Sequence, residues 1–216
     1  TIAALASDPR GWASVGHPEW GKFTIGKTSP DLSTSGLAAT VGAFVAATGK
    51  ASDLTAADLK NPKVLATVSA VENAAVHYGD TTLTFLTNLQ QADDKGKGLT
   101  YVSAVAVEEK SVFDYNSGNP SGSLDTVGKH APPQVKLVAV YPSEGTLYSD
   151  NPFIILNAPW VSADQQAGAL AFRNYLLTSE AQTQFTNAGF RTKDGAAGSA
   201  LSGNAFAQTV PVPALT

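Results

Sequence analysis

The chain has 216 residues, with 14 Lys plus Arg against 18 Asp plus Glu, a net charge of −4, 43% hydrophobic residues and no Cys or Met. That length holds one large domain or two small ones, and the balance of apolar and polar residues excludes a disordered or collagenous chain. The acidic balance excludes dependence on nucleic-acid phosphates; no apolar run reaches the ~18–20 residues of a membrane span; the missing Cys removes disulfides, thiol catalysis and Cys-bound metals.

Residues 1–22 are broken by Asp8-Pro9, Gly11, Gly16, His17-Pro18 and Gly21, which leaves room for a helix only at Ile2–Ser7. Trp12 and Trp20 are expected to bury their rings beneath this loop. Lys22–Gly26 alternates polar and apolar and predicts a strand, and Leu37–Thr48 has helical spacing and stops at Gly49. Thr55-Ala56-Ala57-Asp58 is a capping-box variant that opens a brief helix. Pro62 starts another, read as one helix through Ala75 to Gly79, and Asp80-Thr81-Thr82 starts a third. Leu99–Val105, Lys136–Tyr141 and Phe153–Leu156 read as buried strands, and Val107–Tyr115 as a helix with Lys110 and Asp114 at i, i+4. Residues 116–135 form a long loop. Ser162–Leu177 and Ser179–Gly189 are helices, the first with Ala167, Leu170, Ala171, Asn174 and Leu177 on one face. Beyond Arg191 the chain is Gly-, Ala- and Ser-rich and ends in Val210-Pro211-Val212-Pro213, an extended tail. Strands alternating with helices make this an α/β chain.

Few motifs carry chemistry. Gly21–Thr28 reads G-x-x-x-x-G-K-T, but a phosphate-binding loop must follow a strand and lead straight into a helix, and here the motif's interior is itself strand-like. No G-x-S-x-G elbow is present, and His17, His77 and His130 have no i, i+4 partner for a metal. Glu108-Glu109 and Asp93-Asp94 read as solvated pairs. No acid, base and nucleophile assemble, so the chain is read as no enzyme, with no catalytic residue, metal or cofactor. Two junctions before helices are dense in hydroxyls: Thr28-Ser29-Pro30-Asp31-Leu32-Ser33-Thr34-Ser35-Gly36, and Gly79-Asp80-Thr81-Thr82. One N-cap needs one hydroxyl, so the excess points to a small polar ligand held at helix N-termini.

The stretches Phe23–Leu37, Val76–Thr82 and Tyr101–Lys110, continued by Val140–Thr146, Asp150–Phe153 and Phe172–Arg191, resemble the bacterial extracellular solute-binding proteins, in particular those fused to a von Willebrand factor A domain. The resemblance implies an α/β fold of the type II periplasmic-binding-protein kind, with one complete lobe at residues 9–150, a return segment of the other lobe at 151–192, and a tail or linker at 193–216. It implies that Ser33, Thr34, Ser35 and Gly36, after Thr28 and Ser29, open into an inter-lobe cleft. Thr81, Thr82 and Ser103 would supply further ligand contacts, and Tyr141 would lie near the return crossover. The function implied is capture of a small polar solute for a membrane transporter of the ABC type. The chain would be extracellular or at the cell surface, a lipoprotein-like, membrane-tethered protein. The alternative is an interaction or adhesion module that keeps the fold without a solute.

Thr1-Ile2-Ala3-Ala4 has neither an initiator Met nor a basic n-region, and the resemblance begins partway into the family's pattern. The expectation is therefore a processed chain or the C-terminal part of a longer secreted protein, flanked by the other lobe and a von Willebrand factor A domain. An apolar surface left by an absent lobe would favour self-association.

Overall fold

A computed structural model describes residues 2–203, 205–207 and 215. These fall into two compact units, one up to Leu147 that also takes in Leu215, the other from Tyr148 to Ala207. The last part of the expected tail, residues 208–214 and 216, lies outside the described residues, as does Asn204.

The first unit is built on a three-stranded parallel sheet of order β2-β1-β3, with β1 Ile25–Thr28, β2 Ala75–Gly79 and β3 Ala104–Val105. Around it lie α1 Ile2–Ser7, α2 Thr34–Thr48, α3 Pro62–Asn73, α4 Thr82–Asp93, α5 Gly98–Tyr101 and α6 Glu109–Asn116. Alternation along β1 sends its side chains to two layers. Ile25 packs near Leu5 of α1 and Val71 of α3, and the Lys27 ammonium pairs with Glu72 of α3 and donates to Thr40 of α2 at 3.4 Å. Gly26 faces α4 instead, and the Thr28 hydroxyl meets Ser35 of α2. A Cβ on Gly26 would collide with the Phe85 ring, so glycine here sets how closely α4 lies on the sheet. Phe85, Leu86, Leu89 and Tyr115 form the core on that side; Ala43, Val64 and Val68 form another between α2 and α3.

Several predicted elements shift. The strand sits at Ile25–Thr28 instead of Lys22–Gly26, and α2 begins at Thr34 instead of Leu37, which places Ser33 at its N-cap. The helix from Pro62 ends at Asn73; Ala75–Gly79 is β2, paired with β1 in register Gly26 to His77 and Thr28 to Gly79. Leu99–Val105 splits into α5 and a two-residue β3. Lys136–Tyr141 is not a strand. It runs extended with alternating burial, but the Asn116 side chain takes both backbone groups of Leu137, donating to its O at 2.9 Å and accepting from its N at 2.8 Å. Phe153–Leu156 is likewise without strand pairing, and Ile154 is exposed. Trp20 is exposed, stacked on His17 at 3.8 Å, while Trp12 is half-buried against Phe23.

The brief helix at Asp58 forms as a 3-10 turn, Asp58–Lys60, and its capping box is reciprocal: Asp58 accepts from Thr55 N at 2.8 Å and donates its own N–H to Thr55 Oγ1 at 3.4 Å. The Lys110–Asp114 pair also forms.

In the second unit α7 Ala163–Leu176 starts at a full capping box from Ser162 and Gln165, and α8 Ser179–Asn187 packs on it. The face of α7 that carries Ala167, Leu170, Ala171 and Asn174, continued by Leu177, is exposed. Arg191 steadies the segment after α8 by donating to the carbonyls of Gly195 and Ala207.

Candidate functional site

Strand order alone marks a place for a site. The chain leaves β1 for β2 on one side and then crosses to β3 on the other, so the loops after β1 and β3 diverge at the carboxyl ends of the strands. In open parallel sheets that crevice is where ligands bind. Thr28 ends β1 there, fully buried. Ser29 N donates to Gly79 O at 3.0 Å, which holds the two loops that lead to α2 and α4 side by side. The first turn of α2 then folds back onto the strand end. A Cβ on Gly36 would strike Thr28 O and come within 2.6 Å of Ser29 O, so only glycine permits the approach.

This approach brings four hydroxyls together. Ser35 Oγ, buried in the first turn of α2, lies 3.0 Å from Thr28 Oγ1, 2.9 Å from Ser33 Oγ and 2.5 Å from Thr82 Oγ1 at the start of α4. Thr82 donates to Glu108 Oε2 at 3.2 Å, so the β3–α6 junction closes the third side. The N-termini of α2 and α4, with their hydroxyls, and that of α6, with the Glu108 carboxylate, therefore converge at one point, although the residues span 80 positions of sequence from Thr28 to Glu108. The positive dipole ends of α2 and α4 lie at the same region. Such a concentration of orientable hydroxyls and helix ends is suited to holding a small polar molecule by hydrogen bonds.

The remaining expected ligand residues have other places. Ser29 is half-buried; its hydroxyl accepts from Asp31 N at 3.3 Å and shapes the loop. Thr34 is exposed at the first position of α2. Thr81 is the N-cap of α4, accepting from Thr84 N at 3.2 Å. Ser103 precedes β3 and so lies at the opposite, amino end of the parallel strands, where its hydroxyl takes the Trp12 indole N–H at 3.1 Å and Thr24 N at 3.2 Å. It does not join the cluster. Tyr141 donates to Glu109, next to Glu108, and thereby fastens the extended segment to the start of α6. Glu108 itself was read as one of a solvated pair. Its position one residue before a helix, just after a strand, is the signal that could have found it.

Other features stand apart. Lys27 and Thr28 of the G-x-x-x-x-G-K-T motif lie within β1, and Lys27 is committed to Glu72. Tyr78 also donates to Glu72, at 3.1 Å; burial first, then that carboxylate, holds its hydroxyl above the usual phenol range. A shallow depression lined by Leu83, Thr84, Thr87, Asn88 and Ser121 shares none of the cluster's residues. Among the described residues no group of three or more His, Asp or Glu side chains gathers as a metal site, and no helix is long and apolar enough to cross a membrane.

A family model described as bacterial extracellular solute-binding protein matches residues 2–191. Two curated proteins of Mycobacterium tuberculosis, each named an uncharacterized protein, are 31% identical over 93 residues: MT1884 of strain CDC 1551 / Oshkosh and Rv1836c of strain H37Rv. The match covers 43% of this chain but 12% of each relative, so the chain corresponds to a small part of their length. No solved structure gives a significant match.

Proposed function

The chain belongs to the family of bacterial extracellular solute-binding proteins, and from that premise we propose that the hydroxyl cluster at the carboxyl ends of β1 and β3 captures a small polar solute. One observation carries the reading: Ser35 Oγ is met by Thr28, Ser33 and Thr82, three residues from two separate junctions, where a single cap would need only one hydroxyl. Ser33, the half-buried member of the cluster, meets the solute, and Ser35 and Thr82, buried behind it, fix its hydroxyl; Ser29, Thr34, Thr81 and Gly36 shape the loops around it. Residues 9–150 act as one lobe and 151–192 as the return segment of a second, so that a solute is held between lobes and released to a membrane transporter on opening. The exposed apolar side chains of α7 are covered in use by a second copy of the chain or by a fused domain.

A melting screen tests this reading. A solute that binds the folded state alone raises the transition, by about 2.7 kcal/mol of stability at a hundredfold excess over Kd. The expected result is a shift with one class of polar solute that disappears in Ser35→Ala. No shift with sugars, amino acids, amines or oxyanions would contradict the reading.

A further inference from the structure

The two edges of the parallel sheet are protected to different degrees. β3 forms one edge and is only two residues long, which gives another strand little to pair with. β2 forms the other edge over five residues, Ala75–Gly79. Ladder bonds here run inward to β1, where Ile25 N and Ser29 N donate to Ala74 O and Gly79 O. Among the described residues no strand lies on the outer side of β2, and no side chain takes its backbone groups. Edges are commonly blunted by Lys, Pro or another charge, and Ala75-Val76-His77-Tyr78-Gly79 has none of these. The extended segment Lys136–Tyr141, by contrast, is stopped at Leu137 by the Asn116 side chain.

The side chains of β2 match a second copy of the same strand. Val76 is 50% and Tyr78 56% exposed, and alternation puts both on one face of the sheet. The Tyr78 ring is held in place by its hydroxyl bond to Glu72 at 3.1 Å. When two copies meet antiparallel about a two-fold axis at His77, Val76 of each lies opposite Tyr78 of the other. A β-branched residue opposite an aromatic one is a favourable cross-strand pair. The same register brings no like charges together, since Asp80 falls opposite Ala74 and Glu72 opposite Thr82. A slip by one residue turns the exposed side chains of the two copies to opposite faces. A slip by two toward Tyr78 sets Val76 against Asp80.

We propose that two copies of this chain join at β2, antiparallel and centred on His77, into one continuous sheet of order β3-β1-β2-β2-β1-β3. This goes beyond the solute-capture reading and does not depend on it. Pairing in this sense points the carboxyl ends of the two sets of strands in opposite directions, so the two hydroxyl clusters lie at opposite ends and both stay open. One short strand is a small contact surface, so the dimer comes apart on dilution.

Because α7 also offers an apolar face to a second copy, mass alone does not identify the interface, and introduced thiols do. The 216-residue chain has no Cys of its own. Residues directly opposite in an antiparallel pair have Cα atoms about 4.5–5.5 Å apart, within the span of a disulfide. In oxidised glutathione, His77→Cys, which lies on the axis, is expected to form a disulfide-linked dimer at least about tenfold faster than Leu124→Cys, although Leu124 is far more exposed. Adding Val76→Lys is expected to remove that advantage, with a far-ultraviolet spectrum equal to wild type. A mixture of Val76→Cys and Tyr78→Cys reads the register without disturbing His77: disulfides are expected between the two variants and not within either, whose thiols lie a diagonal apart. Equal coupling at positions 77 and 124, a rate that Val76→Lys leaves unchanged, or a mixture without preference would each overturn the proposal.

Discussion

Ser35 Oγ is hydrogen-bonded to the hydroxyls of Thr28, Ser33 and Thr82, and both Thr28 and Thr82 are buried where water cannot replace it. Ser35→Ala therefore leaves buried hydroxyls unpaired, and the expected cost is about 1–3 kcal/mol in urea unfolding; a cost below a few tenths would show that the hydroxyls find other partners. Asp93 makes a comparable contribution on the far side of α4. Its buried carboxylate accepts from Gln134 N at 2.6 Å and Val135 N at 3.0 Å, which ties the end of the long 116–135 loop to the helix. Asp93→Ala should lose about 2–3 kcal/mol by the same measurement, because charge-assisted bonds are the stronger kind. At this scale much of the cluster was legible, since Thr28, Ser33, Ser35 and Thr82 stand out as hydroxyls in excess of capping needs. Ser103 could not be separated from them by sequence, because which end of a two-residue strand it falls on depends on the register with β1.

Glycine positions decide how the elements meet. Gly26→Ala would drive a methyl into the Phe85 ring, and the overpacking should cost about 1–3 kcal/mol. Combined with Phe85→Leu, the loss should fall short of the sum of the two single losses by about 1 kcal/mol, within the range for residues in contact; strict additivity would place the clash elsewhere. The turn at Asp58–Lys60 is held by charge. The Lys50 ammonium, then Thr55 N–H and hydroxyl, lower the Asp58 carboxyl to about 2. A depressed folded value means a contribution present above the unfolded value of about 3.9 and lost as pH falls through about 2. Asp58→Asn should therefore melt below wild type at pH 7 and converge on it near pH 2; a gap that persists at low pH would contradict this cause. Helices were well marked by caps and periodicity. β2 was hidden, because Ala75-Val76 continues the apolar pattern of α3 with neither Gly nor Pro at the break. Lys136–Tyr141 has a strand's alternation without an edge to pair with, since the Asn116 amide occupies Leu137.

Across the whole chain, the α/β class followed from the alternation of elements, whereas the parallel order β2-β1-β3 required long-range pairing that no local pattern encodes. The second unit poses a different physical problem. Leu170 is 43%, Phe172 53%, Tyr175 48% and Leu177 62% exposed, on or just beyond a helix that buries no residue. Packing of an apolar face, more than intrinsic propensity, stabilises most helices, and a helix with this many large apolar side chains in water is one that a partner covers. Light scattering of the isolated chain should give twice its 22.2 kDa mass at micromolar concentration; a strict monomer with α7 intact would contradict coverage by a second copy. The account's central claim is that the hydroxyl cluster built on Ser35 and Thr82 captures a solute. Its most direct test is a calorimetric titration of the solute found by melting into wild type and into a Ser35→Ala, Thr82→Val variant shown by circular dichroism to be folded. Loss of at least about tenfold in affinity, about 1.4 kcal/mol, is the predicted result; an unchanged Kd would contradict the claim.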